Sequence, residues 1–132
     1  MGTPAAIIEK TKTGYRGIYC HNDGDIGWVG TILAEDYTAP KKVTALLDLG
    51  DISSLGRNVN PITSTHSFDN PEGTVTVAYC RDRGEEDTEA TIGSTIEEIA
   101  EIIDHQYLYV FENGKWTVDG RPLDAMLLKL ES

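Results

Sequence analysis

Two short segments echo each other and hold both of the chain's cysteines. Tyr19-Cys20-His21-Asn22-Asp23-Gly24 and Tyr79-Cys80-Arg81-Asp82-Arg83-Gly84 each place a Tyr-Cys pair ahead of a polar turn. Each pair closes a predicted strand, over 15–21 and 74–80, in which successive side chains alternate faces. Were the two strands neighbours, Cys20 and Cys80 would share one face and Tyr19 and Tyr79 the other. Tyr19, His21, Asp23, Tyr79, Arg81, Asp82 and Arg83 would then form a pocket at one sheet edge. Arg81 and Arg83 would hold a small anion such as a nucleotide, with His21 as acid–base group. Alternatively, Asp23 and Asp82 would bind a metal for hydrolysis. The plainer reading makes Tyr-Cys an ordinary strand ending and the polar residues turn formers.

Other chemistry is weaker. Asp23, Asp25, Asp82 and Glu85 offer hard oxygen ligands for Mg²⁺ or Ca²⁺, but without the regular spacing of an EF-hand loop. Cys20-His21 is adjacent rather than spaced, and a Cys-x-x-Cys pair is absent, which argues against zinc. His21 cannot activate Cys20, because strand neighbours point to opposite faces. His66 and His105 are expected to face solvent. Neither Gly24-Asp25-Ile26-Gly27 nor Gly27-Trp28-Val29-Gly30 matches a phosphate-binding glycine loop. The sequence therefore assigns no catalytic residue, metal ligand or cofactor, and favours binding over an enzymatic role.

Charge placement is the strongest anomaly. The chain has 132 residues, 11 Lys+Arg against 22 Asp+Glu, and a net charge of −11. Between Gly84 and Gly114 there is no lysine or arginine, yet the segment carries Glu85, Glu86, Asp87, Glu89, Glu97, Glu98, Glu101, Asp104 and Glu112. Glu97, Glu101 and Asp104 stand at i, i+4 and i+7, one stripe of a predicted helix. Like charges at that spacing cost a helix a few tenths of a kcal/mol per pair, roughly. The stripe is either a solvated face or a surface offered to a basic partner. Glu85, Glu86, Asp87, Glu89, Glu97, Glu98, Glu101 and Asp104 are the candidate partner-binding set. A −11 surface repels phosphate backbones and anionic lipid, which disfavours direct nucleic-acid or membrane binding.

The elements that would position these residues follow from pattern. Strands are expected over 5–11 and 15–21, joined through Gly14. Val29, Ile32 and Leu33 mark a helix, with Trp28 and Tyr37 at its margins. Pro40 opens a second helix, in which Val43, Leu46 and Leu47 form the stripe and Gly50 the stop. Residues 51–56 read as a turn or one helical turn, and 57–73, with two prolines and three asparagines, as a long irregular loop. The alternating Thr/Val of 74–80 reads as a strand. Ser94-Thr95-Ile96-Glu97 reads as a capping box before a helix carrying Ile96, Ile99, Ala100 and Ile103. Residues 107–111 and 115–118 flank Asn113-Gly114, a type I′ hairpin signal. Residues 123–130 fit a helix or a strand.

The expected order, β-β-α-α-β-α-β-β plus a C-terminal element, is a single α+β domain over 1–132. A mostly antiparallel sheet would be covered by short helices. Exposed strand edges also suit a homodimer or an assembly role. Two cysteines are too few for a disulfide scaffold, no apolar run is long enough to span a membrane, and Met1-Gly2 and the residues after it do not look like a secretory signal. A cytoplasmic protein is expected.

Tyr19-Cys20-His21 through Asp23-Gly24, the run Leu49-Gly50-Asp51-Ile52-Ser53-Ser54-Leu55-Gly56, and Tyr79-Cys80-Arg81-Asp82-Arg83-Gly84-Glu85 together resemble a pattern in small uncharacterised phage and prophage proteins. The likeness covers about half the chain, mainly 15–56 and 79–85. It departs where a Trp commonly precedes Asp23 and a Tyr-Pro follows Gly24; here those places hold Asn22 and Asp25-Ile26. The resemblance implies a phage accessory protein acting in the cytoplasm of an infected bacterium. In that setting the acidic surface would bind and inhibit a host or defence protein, such as a nucleic-acid-binding CRISPR-type effector.

Overall fold

The computed structural model describes residues 3–131, Glu131 by its backbone alone, so the reading of Met1-Gly2 lies outside the described residues. The strands are β1 (Ala5–Lys10), β2 (Tyr15–Cys20), β3 (Ile52–Ser54), β4 (Val77–Ala78), β5 (Thr91–Gly93), β6 (Tyr107–Glu112), β7 (Lys115–Val118) and β8 (Arg121–Pro122). The helices are α1 (Thr31–Asp36), α2 (Pro40–Asp48), α3 (Tyr79–Arg83), α4 (Ile96–Ile102) and α5 (Leu123–Glu131), with a π-helical turn at Ile26–Gly30. One mixed sheet runs β4-β3-β2-β1-β6-β7-β8, and β5 shares the outer edge of β2 with β3. Five of its seven ladders are antiparallel; β1–β6 and β2–β3 are parallel. This is a small single-domain α+β fold, and among the described residues no helix is long and apolar enough to cross a membrane.

Sequence explains the layering. Ala5, Ala6, Ile7 and Ile8 are buried on both sides, as the central strand of a sheet covered on both faces requires. Ile7, Ile18 and Tyr109 look towards α1, α2 and α5, whose Leu33, Leu46 and Leu123 complete the larger core. Its buried polar tips are satisfied: the Tyr37 hydroxyl donates to Gly56 O at 2.7 Å, the Tyr109 hydroxyl to Gly24 O at 2.7 Å, and Trp116 Nε1 to Tyr37 O at 2.9 Å. Ala6, Ile8 and Val110 look the other way, onto Ile99 and Ile103 at α4. Gly17 of β2 makes that packing close. A Cβ there would lie 2.8 Å from Ile99 Cγ2.

The hairpin Asn113-Gly114 takes positive φ at both residues (56° and 75°), as a type I′ turn demands, and Asp119-Gly120 repeats the device before β8. Residues 123–130 lie in α5.

Four expectations are corrected. The 74–80 strand survives only as Val77–Ala78, and Tyr79–Arg83 is helical. Asp82 Oδ2 accepts the Ala78 N–H at 2.8 Å, and Gly84 at φ 72° closes the helix. Residues 51–56 hold strand β3, parallel to β2 through Cys20 and Ile52. The cap of α4 is shifted by one residue. Thr95 Oγ1 accepts the Glu98 N–H at 3.2 Å, and Glu98 Oε2 accepts the Ser94 N–H at 3.0 Å. Finally, α4 stops at Ile102, so Asp104 lies beyond the helix that carries Glu97 and Glu101.

Candidate functional site

The echoed Tyr-Cys segments do not meet as strand partners, because β3 lies between β2 and β4. Cys20 is buried in the larger core, where burial pushes its thiol up to about 12, whereas Cys80 is exposed on α3. Tyr19 and His21 do pair, with the hydroxyl 2.7 Å from Nδ1. Asp23 departs from them, to the mouth of a cleft beside Trp28.

Arg81, Asp82 and Arg83 serve the 57–73 loop rather than an open pocket. Arg81 Nη1 donates to Val59 O at 2.6 Å and Nη2 to Thr76 O at 2.7 Å, while Nε holds Asp82 Oδ1 at 2.9 Å. Arg83 lies over the rings of Phe68 and Tyr79, 4.4 and 5.3 Å from their centroids, and pairs with Glu85 at 2.5 Å.

His66 is not solvent-facing: its side chain is 2% exposed. Nδ1 accepts the Glu72 N–H at 3.0 Å, and Nε2 lies 3.1 Å from Asp82 Oδ2, too bent for a good hydrogen bond. Glu72 in turn receives the N–H groups of Ile62 and Thr63, both at 3.0 Å, on Oε2. The irregular loop is thus held by polar contacts instead of a ladder. His105 is half-buried, its Nδ1 2.8 Å from Ile103 O.

The carboxylates weighed as metal ligands are dispersed: Asp82 is turned inward, Glu85 pairs with Arg83, and Asp23 and Asp25 flank Trp28. Among the described residues, no three His, Cys, Asp or Glu side chains gather as a metal-binding group.

The acidic set occupies α4, its flanks and the loop before β5. Glu97, Glu98, Glu101 and Asp104 are exposed, as are Glu86, Asp87 and Glu89; Glu85 is half-buried. Of the eight, only Glu85 is ion-paired among the described residues. Two half-buried tyrosines of β2, Tyr15 and Tyr19, stand among these charges. The Tyr15 hydroxyl titrates high through desolvation and through Glu112 and Glu97, and it donates to Glu112 at 3.2 Å. Tyr19 titrates high through desolvation, then Tyr79, Asp104, Cys20 and Asp51. Burial raises Asp51, with Glu89 adding to the shift. Carboxylates therefore border the α4 side of β2 from Glu112, bonded to Tyr15, at one end to Asp104, near Tyr19, at the other. Lys10, over the Tyr15 ring at 4.7 Å, is a cation at the first end.

Backbone contacts fix the acidic loop. The Asp51 N–H donates to Thr88 O at 2.7 Å, and Gly50, at φ 77°, leaves room for that carbonyl. Sequence reasoning found the acids by their uncompensated run but missed the cleft at Trp28, whose signal was an aromatic residue at the margin of a helical stripe. The chain matches no family model, no curated protein and no solved structure.

Proposed function

We propose that this chain is a non-enzymatic binding protein whose acidic α4 face docks on a basic protein surface. The natural target is a surface that otherwise receives a polyanion, so that Glu97, Glu101 and Asp104 stand where phosphates would. The observation that carries this reading is the run of exposed carboxylates from Glu86 to Asp104 with no ion pair among the described residues, whereas Arg81, Asp82 and His66 are engaged internally. Such a face speeds encounter and loses strength as salt rises, because exposed charges beyond about 8–10 Å are screened near physiological ionic strength. The resemblance to phage and prophage proteins makes a host nucleic-acid-binding or defence protein the fitting target, with inhibition by occupancy as the effect.

The test combines charge reversal with competition. Bacterial lysate is passed over the immobilised chain and over a Glu97→Lys/Glu101→Lys/Asp104→Lys variant, at low and high salt, and bound protein is challenged with double-stranded DNA. The expected result is a protein retained at low salt only, released by DNA and lost on the variant. Retention that is indifferent to the three reversals would overturn the reading.

A further inference from the structure

Trp28 is 52% exposed, an unusual position for the largest apolar side chain in a small domain. It stands at a cleft of about 480 Å³, within the range of small-molecule sites. The floor is apolar, built from Ile32, Leu55, Val75 and Val77, and one wall is the loop segment Pro71-Glu72-Gly73. Two uncommon backbone features converge on the mouth. The π-helical turn Ile26–Gly30 carries Trp28; such turns are rare and are frequently found at functional sites. Asp23 adopts a left-handed conformation, φ 56°.

Charge decides what the cleft can hold. Asp23 lines the cleft, and Asp25 stands with it and Trp28 in a shallow hollow adjoining the mouth; neither carboxylate has a hydrogen bond or ion pair among the described residues. Glu72 also lines the cleft, but its Oε2 is already engaged by the Ile62 and Thr63 N–H groups, which leaves Asp23 and Asp25 as the carboxylates open to a ligand. Arg57, the cation of the lining, is committed to Glu35 and Asp36. An anion would meet uncompensated carboxylates, and a neutral apolar body would leave them unused. A cation on an apolar stem uses every surface: the carboxylates and indole face for its head, the aliphatic floor for its stem.

We propose that this cleft binds a small organic cation, an ammonium or guanidinium group on a short apolar stem. The head sits against Trp28 between Asp23 and Asp25, and the stem lies over Leu55 and Val75. The site is on the sheet face that carries α1, not α4, and stands independently of the acidic docking face.

Calorimetric titration of the full chain with pentylamine tests it, with valeramide and valerate as neutral and anionic counterparts of the same chain length. Saturable one-to-one binding of pentylamine alone is expected. Trp28→Ala should weaken it about three- to tenfold, and Trp28→Phe, which keeps a ring, should recover part of that. Asp23→Asn removes a charge while tolerating the left-handed backbone; it should weaken binding about threefold at low salt, with the difference closing at high salt. Both side chains are exposed, so these variants keep the fold. A parallel arm with blocked arginine amide separates sources: tighter binding than pentylamine assigns the cation to a protein side chain, weaker binding to a free metabolite, and either upholds the cation site. The proposal is overturned by absence of saturation at millimolar pentylamine, by equal binding of valerate, or by affinity unchanged in both Trp28→Ala and Asp23→Asn.

Discussion

Cys20 and Cys80 follow the same tyrosine in sequence and end in opposite chemical states. Cys20 pairs with Ile52 across a parallel ladder and is sealed under the larger core; its thiol, pushed up to about 12 by burial, stays protonated at neutral pH. Thiolate is the reactive form, so Cys20 is inert until the sheet opens. Cys80 faces solvent on α3, in a hollow lined by Glu85, Glu86, Asp87 and Glu89. Iodoacetamide at mildly alkaline pH should therefore alkylate one cysteine in the native chain and two in denaturant, with the native adduct mapping to Cys80 by mass spectrometry. Native labelling of Cys20 would mean that the β2–β3 ladder opens readily. The same contrast separates His21, on the surface with Tyr19, from His66, enclosed between Glu72 N–H and Asp82.

At the scale of elements, Gly50 is where the acidic loop is fastened. Its φ of 77° is left-handed, and a Cβ would lie 2.2 Å from Thr88 O. Gly50→Ala should destabilise by about 2–4 kcal/mol, from backbone strain plus displacement of the 85–89 loop. Gly73→Ala, with nothing within 4 Å of its Cβ position, should change stability by less than about 0.5 kcal/mol. Denaturant midpoints of the two variants check the contrast. Elements governed by local pattern were legible in the sequence. The Asn113-Gly114 hairpin and the stripe of α2 need only neighbouring residues to form. The 74–80 strand was over-read because its end is decided from afar. Asp82 reaches back to the Ala78 N–H, and Arg81 gathers carbonyls from Thr76 and Val59, contacts that no Thr/Val alternation announces. The candidate sites divide likewise. Uncompensated acids are visible in composition, but the exposure of Trp28 depends on a π-helical turn that displaces it from the stripe of Val29, Ile32 and Leu33.

For the whole molecule, the acid limb of stability distinguishes one buried carboxylate from the general excess of charge. With a net charge of −11, protonation on descending from neutral pH relieves repulsion and should at first stabilise the chain. Asp82 acts in the opposite sense. Burial alone would raise it, but Arg81 and the Ala78 N–H outweigh burial and hold it below the usual carboxylate range. A depressed folded-state pKa contributes stability that is complete above the unfolded value, near 4, and drains away as pH falls through the folded one. Glu72 shares that direction through the N–H groups of Thr63 and Ile62, whereas burial raises Asp51, whose contribution is greatest when protonated. Asp82→Asn keeps an acceptor for Ala78 but removes the charge and the second oxygen that accepts from Arg81 Nε. At pH 7 it should cost about 1.5–3 kcal/mol, the range for hydrogen bonds to a charged group. That deficit should hold constant down to about pH 4.5 and shrink below pH 4, where the native chain loses the same charge. Urea unfolding of both proteins across pH 3–7 measures the gap directly. A gap that persists undiminished at the acid end would mean that the carboxylate's charge is not what ties α3 to the 57–73 loop.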